Sequence, residues 1–364
     1  MIKALDKWLM GYVRSRLERP RTEVTDLMIA VCDHFEPFHD TDQAGALRRV
    51  QDWTAGFSRI QRDQSDADGQ FPRHTFFYPI EQYDPDVVGA LATLAKTTGN
   101  EVEIHLHHEG ETRDEVRDMF RKGVEDFQRH GFLTTDDSGG ARFAFIHGNW
   151  ALDDANLNGK GCGTRGELEL LRRAGCYADL TMPSAPHETQ CRIVNGIYYS
   201  KSTECGRSHD RGFRVDASTS TFRESLEHLL MVQGPLGPDF SSRKWGVIPR
   251  IENGDLTNHN PPSVRRARLW LELAPSVASR PEWRFVKLHT HGALERNQSV
   301  LISDSALNYH DHLRKFALSS GLRLHYVSAR EMVNIVHAAE DGKGGDAGAW
   351  RDYLYPTPPL LAVP

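Results

Sequence analysis

Much of what this chain lacks is informative. It has few cysteines: Cys32, Cys162, Cys176, Cys191 and Cys205 are an odd set of five without a Cys-x-x-Cys spacing. Such a set suits neither a disulfide framework nor a zinc ribbon, and reads as reduced thiols in a cytoplasmic protein. No apolar run approaches the roughly 18 residues of a membrane-crossing helix. The first 21 residues hold apolar stretches of only two or three, too short for a secretory signal core. A basic excess is also missing. The net charge of -6 makes nucleic acid an unexpected partner, since duplex binders carry a basic face. No Gly-x-x-x-x-Gly-Lys-Ser/Thr, Gly-x-Ser-x-Gly or His-Glu-x-x-His string occurs. P-loop nucleotide sites, hydrolase elbows and zincin chemistry are therefore not expected.

What is present is an ordinary globular composition, 39% hydrophobic and 26% charged, long enough to bury a large core. Ile2, Leu5, Leu9, Tyr12, Val13 and Leu17 recur at helical spacing among Lys3, Lys7, Arg14, Arg16 and Arg19. This predicts an amphipathic helix over residues 1–22, which packs on its own domain or makes peripheral contact with a membrane surface. Continuous apolar runs then alternate with amphipathic segments. Strands are predicted near 24–32, 74–79, 142–146, 177–183, 284–288 and 322–327, and the stretch 99–110 reads as a further strand in which Val102 and Ile104 lead at once into His105, His107 and His108. Helices are predicted near 43–62, 85–96, 111–130, 164–174 (capped by Thr164 with Glu167), 261–273 and 304–319. Asp63 to Gln70 reads as a polar turn. Alternation of this kind implies a parallel α/β architecture. The length fits a single distorted (β/α) barrel over 23–335, with an insertion at about 184–260 and a loose tail over 336–364.

The 18 histidines are not scattered evenly. Asp33 and His34, then His105, His107 and His108, then His147, then His289 and His291 each directly follow a predicted strand. In a parallel barrel these ends share one face. Residues two apart in a strand share a side, so His105 and His107 belong together and His108 does not. Imidazole and carboxylate hold divalent transition metals, and such an ion with an open position activates water for hydrolysis. Asp33 or Glu36 offers the carboxylate and His289 or His291 the acid. Zinc is the expected ion, with nickel, cobalt or manganese as substitutes. Outside these strand ends, His187, His209, Asp210 and Cys205 are candidates for a second metal, Asp179 for orienting a catalytic group, and Trp150, Tyr198 and Tyr199 for stacking on sugar rings.

In order and spacing these motifs resemble the polysaccharide deacetylases of the NodB-homology type, carbohydrate esterase family four. Gly99-Asn100-Glu101-Val102-Glu103-Ile104-His105 lies on that family's Gly-His-Glu-Ile-Gly-Asn-His motif. The resemblance makes His105 the first metal histidine and His107 the second, because Glu109 stands four residues on. Asp33-His34 takes the place of the aspartate pair, with Asp33 as base or ligand and His34 as the metal-binding member. Leu288-His289 matches the late Leu-His pair, which makes His289 the general acid. Phe145 to Trp150 matches the substrate-lining motif, so His147, Asn149 and Trp150 would contact the saccharide. In Ile146-His147-Gly148-Asn149-Trp150-Ala151-Leu152 and Cys176-Tyr177-Ala178-Asp179 the chain also resembles a divergent, uncharacterised bacterial subgroup. The implied activity is deacetylation of an N-acetylated sugar or exopolysaccharide. A glycosidase on a related barrel and an inactive saccharide-binding scaffold are the competing expectations; oligomeric state is not legible.

Overall fold

In the computed structural model, which describes residues 4–62 and 64–360, the apolar runs form one large, mostly parallel sheet. Its strands are β1 (Asp26–His34), β2 (His74–Pro79), β3 (Glu101–Leu106), β4 (Thr134–Thr135), β5 (Ala141–His147), β6 (Cys176–Asp179), β7 (Ile197–Lys201), β8 (Phe213–Arg214) and β9 (His228–Val232). A separate ribbon, β10 (Gly237–Lys244) and β11 (Ile248–Glu252), precedes β12 (Trp283–Thr290) and β13 (Arg323–Tyr326) of the large sheet. The order is β12-β1-β2-β3-β5-β6-β9-β7-β8, with β13 also on β1 and β4 also on β5. Pairing is parallel from β12 through β9. One edge of β1 is divided, with Asp26 to Ile29 paired to β13 and Val31 to His34 paired to β2. No pairing among the described residues joins β12 to β9, so the expected barrel stands as a mostly parallel sheet without demonstrated closure.

Every residue of β1, β2, β3, β6 and β12 is buried, as strands covered on both faces require. One face, including Leu27, Ile29 and Val31, packs with α2 (Gln43–Ile60) and α3 (Pro85–Thr98). The other, including Met28, Ala30, Cys32, Ala144 and Phe285, receives the apolar side of α9 (Ala329–Glu340). The remaining helices are α1 (Leu5–Leu17), α4 (Arg113–Arg129), α5 (Glu167–Ala174), α6 (Val264–Leu273), α7 (Glu295–Leu301) and α8 (Asp304–Ser319). No helix among the described residues is long and apolar enough to cross a membrane.

Several expectations need correction. The 184–260 segment is not a single insertion, because β9 lies within it and pairs parallel with β6. Residues 341–360 are not loose. The Arg351 guanidinium reaches Asp66, Asp68 and Glu331, and the Asn334 amide donates to the carbonyls of Arg351 and Tyr355. The last four residues, together with 1–3 and Asp63, lie outside the described set. Helix α5 starts at Glu167 behind Gly166 in a left-handed conformation, and Thr164 bonds the Glu111 carbonyl instead of capping the helix. Helix α1 buries Trp8 against Ala185, Val194 and Leu236, while Arg16 and Arg19 bond carbonyls of α6; Met10 and Leu17 remain exposed.

Candidate functional site

Strand alternation decides which side chains meet. His34 turns to the face shared with Cys32, and the rings of His105 and His291 lie 5.0 and 4.8 Å from it. His105 and His107 stay on one side, their rings 4.5 Å apart. Glu36, just past β1, brings Oε1 to 3.3 Å from His105 Nε2 and 3.5 Å from His107 Nε2. His105 is oriented by its Nδ1–H, which donates to the Ile146 carbonyl at 2.7 Å. His107 is held by Glu81 at 2.7 Å. Ligand atoms of His34, Glu36 and His105 all lie within 4.8 Å of one another. His34 Nε2 is buried and has no hydrogen-bond partner. A buried polar atom without a partner is costly, and one facing a carboxylate and a second imidazole is a donor set that a divalent cation satisfies.

This cluster borders a cavity of about 580 Å³, whose wall includes Glu36, His107, Asn149, Trp150, Asp255 and His291. Burial alone raises the Glu36 carboxyl, but hydrogen bonds from His105 and His107 outweigh it and hold the group well below the usual carboxylate range. Burial lowers His107, yet Glu36 and Glu81 outweigh it and bring the ring up to about 9. His34 is pushed well down, first by burial and then by the neighbouring His291 and His105. Burial raises Asp255, partly offset by Arg266. The cavity thus holds carboxylates whose surroundings move them in opposite directions.

Three expected residues do not reach the cavity. Asp33 falls on the opposite face of β1 from His34. One oxygen accepts the Gly292 N–H at 2.6 Å, and the other lies 3.5 Å from His74 Nδ1. A Cβ at Gly292 would sit 2.0 Å from that carboxylate, so the chain closes there on glycine. Glu36, not Asp33, joins the histidines. His289 is buried with its ring 6.3 Å from that of His34, and its backbone bonds Gly254 and Leu256; it is absent from the cavity wall. The His147 ring is fully buried and turns away, toward His108 and Glu167. Of the proposed substrate contacts, Asn149 and Trp150 line the cavity.

The second metal centre expected around Cys205 is not assembled. Cys205 is exposed, Asp210 pairs with Arg207, and His187 bonds Thr189. His209 is buried, and Tyr198 and Tyr199 are core residues rather than sugar platforms. Asp179 accepts from the backbone and hydroxyl of Thr181, whose hydroxyl accepts the His147 N–H. Asp255 was missed in the sequence because it lies in no regular element; an isolated bridge to His289 places it beside β12. Also overlooked was Gly161-Cys162-Gly163-Thr164-Arg165-Gly166, which has dinucleotide-loop spacing. It follows a short 3₁₀ turn rather than a strand, so the context of a dinucleotide fingerprint is missing. Its three glycines take φ of 74°, 84° and 69°, wrapping the backbone round Cys162.

No protein-family model matches the chain, and no curated protein matches it in sequence. Among solved structures it is similar to a 4-alpha-glucanotransferase from Thermococcus litoralis, over 85% of this chain, at 11% identity and a TM-score of 0.39. The chain spans about 40% of that protein's length. A likeness this slight leaves the reading of the site to its own geometry.

Proposed function

We propose that the cavity is the active site of a metal-dependent hydrolase that removes an acyl group, N-acetyl first among candidates, from a sugar or saccharide. The observation that carries the reading is the meeting of His34, Glu36 and His105 ligand atoms within 4.8 Å at the edge of an open cavity. These residues, with His107 beside them, would hold the ion, and the donor set suits zinc, nickel, cobalt or manganese. A divalent ion bound there supplies Lewis acidity toward the acyl carbonyl and acidifies water. Asp255, raised by burial, is the wall carboxylate placed to take up a proton. His291, stacked beside His34 and facing the same space, is placed to protonate the departing amine. Trp150 offers an aromatic face and Asn149 an amide for orienting a sugar ring. The choice of acetyl and saccharide rests on the motif resemblance.

The test is acetate release from N-acetylated glucosamine oligomers by the purified chain, together with elemental analysis. Expected are stoichiometric metal and a chelator-sensitive activity that His105→Ala abolishes. Chain that carries no metal, or releases acetate equally well in chelator, would sink the reading. A second reading has its own support: Glu36 held low and Asp255 raised face one cavity, the division of labour that glycoside hydrolysis uses. Chelator-resistant glycoside cleavage lost in both Glu36→Gln and Asp255→Asn would favour it.

A further inference from the structure

His107 and His108 are neighbours in sequence, yet they serve different places. The His108 ring points away from the cavity into a closed cluster with His147 at the end of β5, Cys162 in the glycine loop and Glu167 at the start of α5. His108 Nε2 lies 3.0 Å from Glu167 Oε1 and 3.1 Å from His147 Nε2, and His147 Nε2 lies 3.2 Å from the same carboxylate oxygen. Cys162 Sγ stands 3.6 Å from the other Glu167 oxygen. All four side chains are buried, and their ligand atoms lie within 4.8 Å of one another.

We infer that His108, His147, Cys162 and Glu167 form a closed, structural site for a divalent metal of the zinc class, separate from the cavity cluster.

Three independent features favour a cation over an ordinary hydrogen-bonded network. First, the His147 Nδ1–H donates to the Gly148 carbonyl, which turns the Nε2 lone pair inward against His108 and the carboxylate. His108 Nδ1 points the other way, 3.7 Å from the Glu111 carboxylate, so only Nε2 enters the cluster. Several acceptor atoms therefore crowd a space with few protons to share. Tetrahedral ligands on a zinc-sized ion stand about 3.3–3.7 Å apart, close to the spacings here. Second, Cys162 Sγ accepts backbone N–H groups from Asp154 at 3.3 Å and Thr164 at 3.4 Å. Those amides only partly offset burial and the Glu167 carboxylate, which push the thiol up; a cation at this point would draw out the thiolate, the form in which cysteine ligates metal. Third, an outer shell is in place: Glu167 Oε2 accepts the Asp153 N–H at 2.6 Å, while Asp153 accepts from the backbone of Glu167 and of Ser208. The fully buried His209 leaves both ring nitrogens unpartnered.

With four protein ligands and no exposed face, the site has no open position for substrate, which is the mark of a structural rather than a catalytic ion. It would fasten the ends of β3 and β5 to the loop over 148–166 and to α5. Asn149 and Trp150, which reach the cavity wall, begin that loop.

The test separates the clusters because only this one contains sulfur. The purified full chain is stripped by chelator, reloaded with cobalt(II) and read by absorption. A thiolate-to-cobalt charge-transfer band is expected. It should be kept in His105→Ala and Cys205→Ser, and lost in Cys162→Ser with a drop of one ion per chain. Glu167→Gln should weaken binding even where the cysteine variant fails to fold. Absence of the band from wild-type protein that has taken up cobalt overturns the inference. So does loss of the band in Cys205→Ser, which would assign the thiolate to the surface.

Discussion

Two histidine–carboxylate clusters grow from one strand end, and their contrast explains both. His107 and His108 diverge by strand parity, one toward solvent-connected space and the other into the interior. At the cavity, Glu36 and His291 border an opening of about 580 Å³. Behind it, His108, His147 and Cys162 are sealed around Glu167. Openness suits turnover and closure suits fastening. A third cluster shows what needs no metal. His325 donates from one nitrogen to Asp26 at 2.8 Å and from the other to Asp68 at 2.6 Å. Each ring nitrogen has its own carboxylate, so an imidazolium satisfies the site. The cavity cluster instead leaves the buried His34 Nε2 without a partner, and the closed cluster sets the acceptor nitrogen of His147 against the same carboxylate oxygen that His108 approaches.

The sharpest way to break the contrast is to damage each cluster separately. Glu36→Gln should cut turnover by more than about 100-fold, since ligand loss exceeds the effect of outer-shell changes, with little change in thermal midpoint. Steady-state kinetics beside a melting curve checks this; equal losses of stability and activity would merge the two clusters. Glu167→Ala should do the reverse. It strips the carboxylate from two buried imidazoles at a cost of about 3–5 kcal/mol, read from denaturant unfolding. Unfolding unchanged by that substitution would deny the closed cluster its fastening role.

Trp150→Ala should act only at the open cluster, raising KM by roughly 5-fold for the loss of about 1 kcal/mol of aromatic stacking, with the melting curve nearly unaltered. A fall in kcat at constant KM would contradict that role. The smallest effect concerns the metal-free control. Burial lowers His325, but bonds to Asp26 and Asp68 outweigh it and raise the ring above its ordinary value. A raised histidine contributes stability that is fully present below the unfolded pKa of about 6.5 and is lost as pH climbs through the folded one. The unfolding free energy of His325→Gln should therefore decline less across that interval than that of wild type. Parallel curves would show that His325 does not titrate with folding.

Much of the fold was legible because burial on both faces writes continuous apolar runs, as in β1, β2 and β12, and because Asp84 before Pro85 and Gly99 after Thr98 punctuate α3 plainly. The limits of β2 and α8 follow the sequence pattern directly. Short strands such as β9 were not separable from an insertion, since five residues carry too little periodicity to distinguish a helix edge from a strand. The tail looked loose because Gly and Pro abound there, yet Arg351 and Asn334 fasten it through partners far away in sequence.

For the sites the same division holds. By itself the sequence determined that histidines gather at parallel strand ends and that His105 and His107 share a side, since both follow from local periodicity. Only tertiary structure decided that Glu36 replaces Asp33, because β1 turns the latter toward Gly292. It also decided that Asp255 enters the cavity from an irregular segment, and that Cys162 and Glu167 meet His108 and His147. Those meetings depend on how a glycine loop folds back across the sheet, which no spacing along the chain encodes.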